Sequence, residues 1–276
     1  MNAPTLQGTP APAALESPMA DVQSFTDSRR LAIDKVGVKN VVYPITLRTP
    51  CGKPQTTVAS IDMYVSLPHD RKGTHMSRFL EALNEHRDCI RPEQIISMCQ
   101  DLRERLDAKE AHVRVEFTYF IEKLAPVSKA PGLMDYRVTF ECASNGFDDF
   151  VMKVAAPAAS LCPCSKEISR YGAHNQRCEI TAEVRFKGQL WIEEVVNILE
   201  KAASSELYSI LKRPDEKFVT EAAYESPKFV EDIVRDAATA LNRDERILWY
   251  RVRSENFESI HNHNAYAEIT RDKRST

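Results

Sequence analysis

The pattern of apolar and polar residues predicts strands and helices in a repeated order. In the first half of the chain, alternation with period two indicates strands, and apolar residues every three or four positions indicate amphipathic helices. The predicted strands are residues 40–47, 57–67, 112–122 and 136–142, and the predicted helices are residues 74–86 and 92–110. This half is therefore predicted to follow the order β-β-α-α-β-β.

The second half repeats this predicted order. Its predicted strands are residues 150–156, 178–186, 247–252 and 261–270, and its predicted helices are residues 190–211 and 227–241. Pro227 is expected at the first helical position, which proline favours, and residues 213–221 are expected to form a loop between the helices. Two such units, residues 30–148 and 149–276, indicate a tandem α+β duplication with antiparallel sheets and helices on one face. Open sheet edges usually pair with another copy, so we expect a symmetric oligomer.

The beginning of the chain differs from the rest. It is rich in Pro, Ala, Ser and Thr, and we expect residues 1–29 to form a disordered tail. Residues 1–28 contain no Lys or Arg, so the positive region that opens a signal peptide is missing. We therefore expect a cytoplasmic protein.

Composition and charge exclude several classes of protein. Apolar residues make up 43% of the chain and charged residues 28%, a balance typical of soluble globular proteins. The 37 Lys and Arg against 40 Asp and Glu give a net charge of −3, without the basic excess of a general nucleic-acid binder. No apolar run approaches the roughly 18 residues of a membrane span. We expect neither nucleic acid nor a membrane as a partner.

The cysteines of the chain are expected to be reduced thiols. They number seven, an odd count, in a chain without an export signal, so a disulfide framework is not indicated. Free cysteines are usually small buried apolar groups, and we expect most of these to be so.

Cys162 and Cys164 are the pair that suggests chemistry, because His174 follows them on the same predicted loop. Thiolate and imidazole together suit Zn²⁺ or a similar metal. The two cysteines are closer in sequence than a usual C-x₂-C chelate. We therefore expect one of them to bind the metal and the other to face the substrate as a reactive thiolate. The alternative is a pair of buried structural cysteines.

His261 and His263 are a second candidate cluster. On a strand, residues i and i+2 project to the same face, so the two imidazoles are expected to converge. In this arrangement the two histidines either both bind one metal, or one binds the metal and the other transfers protons near neutral pH. The alternative is a solvated turn.

Three further polar segments are ambiguous from the residues alone. Acidic residues in 213–221 are typical of a solvated loop, and Glu231 and Asp232 are typical of a helix first turn. Residues 71–78 combine basic side chains, a glycine and hydroxyls at a helix start, which suits either a phosphate cradle or an exposed basic loop. The sequence contains neither a P-loop nor a Rossmann glycine motif.

Several long motifs together resemble the prokaryotic type IB GTP cyclohydrolase I family. The motifs, in chain order, are THMSRF, LCPCSKEIS, YGAHNQR, RPDEKFVTE, SPKFVED and ENFESIHNHNAYA. The resemblance extends from about residue 30 to the C-terminus. Ser226 departs from the Asn expected before PKFVED, and this departure affects no catalytic position.

The resemblance implies a fold and a reaction. The family has the tunnelling fold, in which ββααββ units assemble into a barrel, with two units fused in each chain of a homotetramer. Its members are hydrolases that convert GTP and water to 7,8-dihydroneopterin triphosphate and formate. This reaction begins folate synthesis and also leads to deazaguanine nucleosides of tRNA. The family uses a divalent metal, often zinc or manganese, and iron is a further candidate.

The resemblance also implies roles for residues of this chain. The residues that surround the metal would be Cys162, His174, Glu216 and His261, with Glu258 joining for a harder metal. Cys164 would be the catalytic thiol, and His263 would transfer protons during ring opening and formate loss. Glu231 would grip the N–H edge of the guanine. The residues that hold the triphosphate would be Lys72, His75, Ser77 and Arg78. In one arrangement they belong to a different subunit from the rest of the site.

Three alternatives remain open on the sequence. A nitrile reductase of the queuosine pathway shares the fold, a cysteine and a substrate-gripping glutamate, but it needs a nicotinamide cofactor and no catalytic metal. The archaeal type of cyclohydrolase prefers ferrous iron and stops at a cyclic phosphate. The third alternative is an oligomer that binds a metal without catalysis. Retention of Cys164, Glu231 and His263 argues against it, because a structural zinc needs only closed coordination.

Overall fold

A computed structural model describes residues 20–86 and 90–274 of the chain. The helices in this part are α1 (Met76–His86), α2 (Pro92–Arg105), α3 (Pro163–Ile168), α4 (Ile192–Ala202), α5 (Arg213–Glu225) and α6 (Val230–Arg243). The strands are β1 (Ile33–Leu47), β2 (Gln55–Leu67), β3 (Ala111–Leu124), β4 (Pro131–Ser144), β5 (Asp148–Leu161), β6 (Asn175–Phe186), β7 (Ser205–Glu206), β8 (Ile247–Asn256) and β9 (Ala265–Asp272).

The strands form one antiparallel sheet in the order β1-β2-β3-β4-β5-β6-β8-β9, with β7 paired to β5. The two halves of the chain meet where β4 pairs with β5, from Arg137 opposite Ala155 to Ser144 opposite Asp148. The predicted pair of units therefore contributes to a single sheet. The predicted boundary between residues 148 and 149 coincides with the first residue of β5 and stays a prediction.

The helices cover one face of this sheet, as the alternating pattern predicts. Val113, Val115, Phe117 and Tyr119 are all buried on β3, and the residues between them are only half-buried. One hydrophobic core combines these side chains with the apolar stripes of α1, α2, α4 and α6. Because an alternating strand buries one face only, the α+β prediction with helices on one side is confirmed.

The helix predicted over residues 190–211 is wrong in its second half. Helix α4 ends at Ala202, and the chain then runs beside β5 rather than continuing as a helix. The Ser204 amide donates to the carbonyl of Ala159 at 3.0 Å, and the Ser204 hydroxyl accepts from the amide of Leu161 at 3.1 Å. Serine competes well for such backbone partners, so these bonds to β5 end the helix.

The last helix begins later than predicted. Pro227 was expected as its first residue, but α6 starts at Val230 and Phe229 is extended. The amide of Lys228 donates to the carbonyl of Leu161 at 3.0 Å, and the Ser160 hydroxyl donates to the carbonyl of Lys228 at 3.1 Å. These bonds tie residues 227–229 to the end of β5, so this segment is not free to enter the helix.

The predicted tail, residues 1–29, lies partly outside the described residues. Inside them, Val22–Ser24 form a 3₁₀ turn, and Thr26 forms a bridge with Arg71. Residues 22–26 therefore form local structure, and the disordered tail over residues 1–29 stays a prediction.

No disulfide joins the cysteines that the structure describes, and their reduced state stays a prediction. Cys99, Cys142 and Cys178 are buried, whereas Cys51 and Cys164 are exposed. Cys89 lies outside the described residues. No helix in residues 20–86 and 90–274 is long and apolar enough to cross a membrane.

Candidate active site

The segment that follows β5 brings Cys162 and His174 together. Cys162 is the N-cap of α3, and its sulfur accepts a hydrogen bond from the Ser165 amide at 3.4 Å. The amide of Cys162 donates to the carbonyl of His174 at 3.1 Å. The Ser165 hydroxyl accepts from the His174 amide at 3.2 Å. These bonds hold the backbone of His174 beside Cys162, so the predicted metal pair belongs to one hydrogen-bonded unit.

Hydrogen bonds orient the ring of His174. Its Nδ1 lies 3.0 Å from the Gln176 side-chain oxygen and 3.4 Å from the Ser259 hydroxyl. An Nδ1–H that donates to this amide oxygen leaves the lone pair on Nε2, which is the form of histidine that binds metals. The Gln176 amide nitrogen donates in turn to Glu258 at 3.3 Å. The structure thus connects Glu258 to His174 through a buried glutamine.

The two cysteines of the C-P-C segment have different surroundings. Cys162 is half-buried, but Cys164 is exposed in the first turn of α3. The alternative of two buried structural cysteines therefore does not describe this pair. The sequence predicts only a loop between strands for this segment. The structure instead forms helix α3, with Cys162 as its N-cap and Cys164 in its first turn.

The side chain of Lys166 joins helix α3 to α5. The Lys166 ammonium group donates to the carbonyl of Tyr224 and lies 4.3 Å from the centre of the Tyr224 ring. A cation over an aromatic face is attracted to it, so both contacts favour the same position. Lys166 thereby connects the cysteine segment to the helix that carries Glu216.

Residues 213–221, predicted to be a loop, form most of α5. Asp215 is fully buried and accepts hydrogen bonds from the amides of Val127, Ser128 and Lys212 and from the Ser128 hydroxyl. Burial alone would raise the pKa of Asp215, but the bonds from Ser128, Lys212 and Val127 outweigh it and hold the pKa well below its usual range. Glu216, the predicted ligand, is exposed beside it.

We expect Asp215→Ala to lower the midpoint of thermal unfolding by several degrees, because it leaves amides of two loops without a partner. Calorimetry measures this, with Glu221→Ala, an exposed acid of the same helix, as the control that leaves the midpoint unchanged. The folded pKa is depressed, so the stabilising contribution is present above the ordinary value of about 3.8 and is lost as pH falls through the folded value. Equal midpoints for the two variants would contradict this role.

The two acidic residues in the first turn of α6 differ in the same way as Asp215 and Glu216: one is hydrogen-bonded and the other is exposed. Asp232 accepts a hydrogen bond from the Phe229 amide at 3.0 Å and so caps the helix. Glu231 takes no part in this cap and its side chain is exposed. Helix stabilisation thus accounts for Asp232, and it leaves Glu231 available for another role.

The predicted strand geometry for His261 and His263 is wrong. Strand β9 begins at Ala265, so both histidines lie in the preceding loop and are exposed. Their rings nevertheless stack, with centroids 5.0 Å apart and planes 20° from parallel. The expected proximity of the imidazoles is therefore present, but a loop and not a strand produces it.

The predicted phosphate residues lie at the start of α1, in the other half of the chain. His75 Nε2 is 3.3 Å from an Asp21 oxygen, and Arg78 donates to the carbonyl of Arg105 at 3.0 Å. Lys72 and Ser77 are exposed. Within the described residues, no hydrogen bond or ion pair connects this group to the cysteine segment.

The five predicted metal residues are only partly assembled within one chain. Cys162, His174 and Glu258 share one hydrogen-bond network, and no hydrogen bond among residues 20–86 and 90–274 connects Glu216 or His261 to it. In the described part of the chain, no three His, Cys, Asp or Glu side chains are grouped closely enough to hold a metal ion. The ligand set stays a prediction.

Three residues that support this site were missed by the sequence reasoning. They are Ser165, which bonds both halves of the cysteine–histidine unit, Lys166, which joins α3 to α5, and Gln176, which orients His174. All three lie inside the motifs quoted above. Their contacts span elements that are distant in sequence, so no local pattern indicated their partners.

Comparison with known proteins decides the family. The profile described as type I GTP cyclohydrolase folE2 matches residues 19–267. The chain belongs to this FolE2 family. It is 56% identical to GTP cyclohydrolase FolE2 of Magnetococcus marinus over 259 residues, which cover 94% of this chain and 98% of that protein. It is 55% identical to the Geobacter sulfurreducens FolE2 over 256 residues, or 93% and 99% of the two chains. The resemblance stated from the motifs is thus confirmed.

Solved structures support the fold of this FolE2 family member. The crystal structure of a uricase from Bacillus fastidious superposes with a TM-score of 0.54, covering 88% of this chain and 94% of that chain. Sequence identity is 8%, so the likeness concerns the fold alone. Uricases share the tunnelling fold, and the prediction of that fold is confirmed.

Proposed function

We propose that this chain is a metal-dependent GTP cyclohydrolase I that converts GTP and water to 7,8-dihydroneopterin triphosphate and formate. The observation that carries the proposal is its membership of the FolE2 family over residues 19–267. The pairing of Cys162 with His174 at the end of β5 supports it, because these are the residues that the motifs assign to the metal. The product would enter tetrahydrofolate synthesis.

The metal would be held first by the sulfur of Cys162 and Nε2 of His174. The hydrogen bond at Nδ1 of His174 fits this role, since it directs the other ring nitrogen toward a ligand. Glu216, His261 and Glu258 would supply the remaining donors, and a set of thiolate, imidazole and carboxylate suits zinc or manganese, with iron as a third candidate. A bound divalent metal supplies a Lewis acid that activates water.

The remaining site residues would bind and protonate the substrate. Glu231 would accept two parallel hydrogen bonds from the N–H edge of guanine, a geometry that suits an exposed carboxylate. The exposed thiol of Cys164 would lie beside the imidazole ring as it opens. An imidazole nitrogen of His263 would carry the proton during ring opening and the loss of formate.

The triphosphate would be bound by Lys72, His75, Ser77 and Arg78 of a neighbouring subunit. This arrangement is supported by their position at the start of α1, in the half of the chain where, among the described residues, no hydrogen bond or ion pair joins them to the cysteine segment. Within the described residues, β1 and β9 are the edge strands of the sheet, and each offers backbone groups to another copy. We propose a homotetramer in the cytoplasm, without nucleic-acid or membrane partners.

The test is GTP turnover by purified, metal-stripped protein with and without added Zn²⁺ or Mn²⁺. We expect formate and an oxidisable, fluorescent pterin to be released together, only when metal is added, and the rates will rank the metals. Protein without added metal is the control. If no metal supports release but the protein oxidises a nicotinamide with a deazaguanine nitrile, the protein is a nitrile reductase and the proposal fails.

Replacement of one predicted ligand tests the metal assignment without relying on activity. We expect His174→Ala to be isolated with little bound metal and to fold normally, because its ring is half-buried at the end of β5. Elemental analysis after dialysis measures the metal content. His112→Ala, a half-buried histidine of β3 outside the site, is the matched control and should keep full metal occupancy. Full occupancy in His174→Ala would remove this residue from the ligand set.

A further inference from the structure

A cavity of about 310 Å³ lies between the helix layer and the sheet, away from the cysteine segment. Helices α2 and α4 begin on two sides of it, and the strands β3, β4 and β5 contribute Tyr119, Phe140 and Met152. The cavity is therefore at the junction of the two ββααββ halves. Its volume is within the range of small-molecule sites.

The two helices place equivalent glutamates at this cavity. Glu93 is the second residue of α2 and Glu193 the second residue of α4, and both line the cavity. Glu93 is largely exposed and lies 3.8 Å from Arg91. Glu193 lies deeper, where one of its oxygens accepts a hydrogen bond from the Tyr119 hydroxyl at 2.5 Å. The repeated architecture thus gives one carboxyl at the mouth and one inside.

The inner carboxyl is incompletely bonded. The second oxygen of Glu193 is buried and accepts no hydrogen bond from the described part of the chain. Burial and the neighbouring Glu193 raise the pKa of Tyr119, so its hydroxyl stays protonated and occupies only the first oxygen. Glu193 lines the cavity, and the terminal torsion of glutamate is broad, so rotation about it can bring the unpaired oxygen to the cavity wall. A buried acceptor without a donor favours a ligand that supplies one.

The rest of the cavity lining includes apolar side chains and two arginines. Phe140, Met152 and Leu190 are buried and form apolar walls. Arg48 is exposed at the outer part of the lining, and with Arg91 it offers guanidinium groups to an anion. The three apolar side chains thus form one wall between the inner carboxyl and these arginines, and the polar side chain of Gln189 also lines the cavity.

We propose that this cavity binds a flat aromatic acid that carries an amino group at the end opposite its carboxylate. The amino N–H groups donate to Glu193, the ring packs against Phe140 and Met152, and the carboxylate pairs with Arg48 and Arg91. This site is separate from the one proposed for GTP and does not depend on it.

Equilibrium dialysis of the full chain against radiolabelled 4-aminobenzoate tests the proposal. We expect saturable binding, with benzoate and aniline each competing at least about tenfold more weakly, because each lacks one of the two polar ends. Saturating GTP should leave this binding unchanged. Absence of saturable binding, equal competition by benzoate, or displacement by GTP would each overturn the proposal.

Two matched variants locate the bound molecule. Glu193→Gln keeps an oxygen for Tyr119 but replaces the free acceptor by an N–H₂ group, and we expect it to weaken binding at least about tenfold. Glu93→Gln changes the equivalent residue at the mouth and should not weaken binding, because Arg91 keeps its charge and loses only a competing carboxylate. Calorimetry of both variants verifies that they are folded. Binding unaffected by Glu193→Gln, or weakened equally by both variants, would refute the assignment.

Discussion

We expect Cys164→Ala to turn over GTP at least about 1,000-fold more slowly than the original chain, with unchanged metal content. The structure exposes this thiol in the first turn of α3 and turns Cys162 toward the Ser165 amide, so the two sulfurs are in different environments. Loss of a reacting thiol removes chemistry that no neighbouring group replaces. Formate release and elemental analysis on the same preparation measure the two quantities.

The matched control for this variant is Cys51→Ala. Cys51 is also exposed, and hydrogen bonding with the Thr49 hydroxyl lowers the pKa of its thiol, so among the described residues it is the other exposed thiol to test. It lies in the turn between β1 and β2, and we expect its replacement to leave turnover unchanged. If Cys164→Ala were instead isolated without metal, the division of roles within the C-P-C pair would be wrong.

The sheet could be predicted from the sequence because its signal is local. On β3 and β6 the apolar residues alternate, and each alternate residue must face the helices to be buried. The ends of elements were less predictable. Helix α4 stops at Ala202 because Ser204 bonds to β5, and α6 starts late because Lys228 bonds to Leu161. Both partners are distant in sequence, so propensity alone placed these boundaries wrongly.

The candidate site shows the same limit. The residue types were identified from the motifs, but their surroundings depend on contacts between elements. Asp215 and Glu216 are adjacent acids, and only the structure reveals that the first satisfies loop amides while the second is exposed. His261 and His263 come together by stacking in a loop, a geometry that has no periodic signature.

The second large effect is expected at Glu231, which is exposed and, unlike Asp232, takes no part in the cap of α6. Glu231→Ala is expected to reduce kcat/KM for GTP at least about 100-fold, since a site built to pair with N–H donors binds its substrate poorly once the acceptor is lost. Glu231→Gln should also be impaired, because an amide offers one acceptor where two parallel bonds are required. Steady-state kinetics and direct GTP binding to the variants measure the loss.

Asp232→Asn is the control that separates binding from folding. Asp232 caps α6 through the Phe229 amide, so its replacement should lower thermal stability slightly and leave the affinity for GTP intact. Glu231→Ala should show the reverse, with a normal unfolding midpoint and weak binding, because its side chain is exposed and outside the cap. Unchanged GTP affinity in Glu231→Ala would remove this residue from the site. In that case both acids of the first turn would serve the helix alone, and the guanine would need another carboxylate.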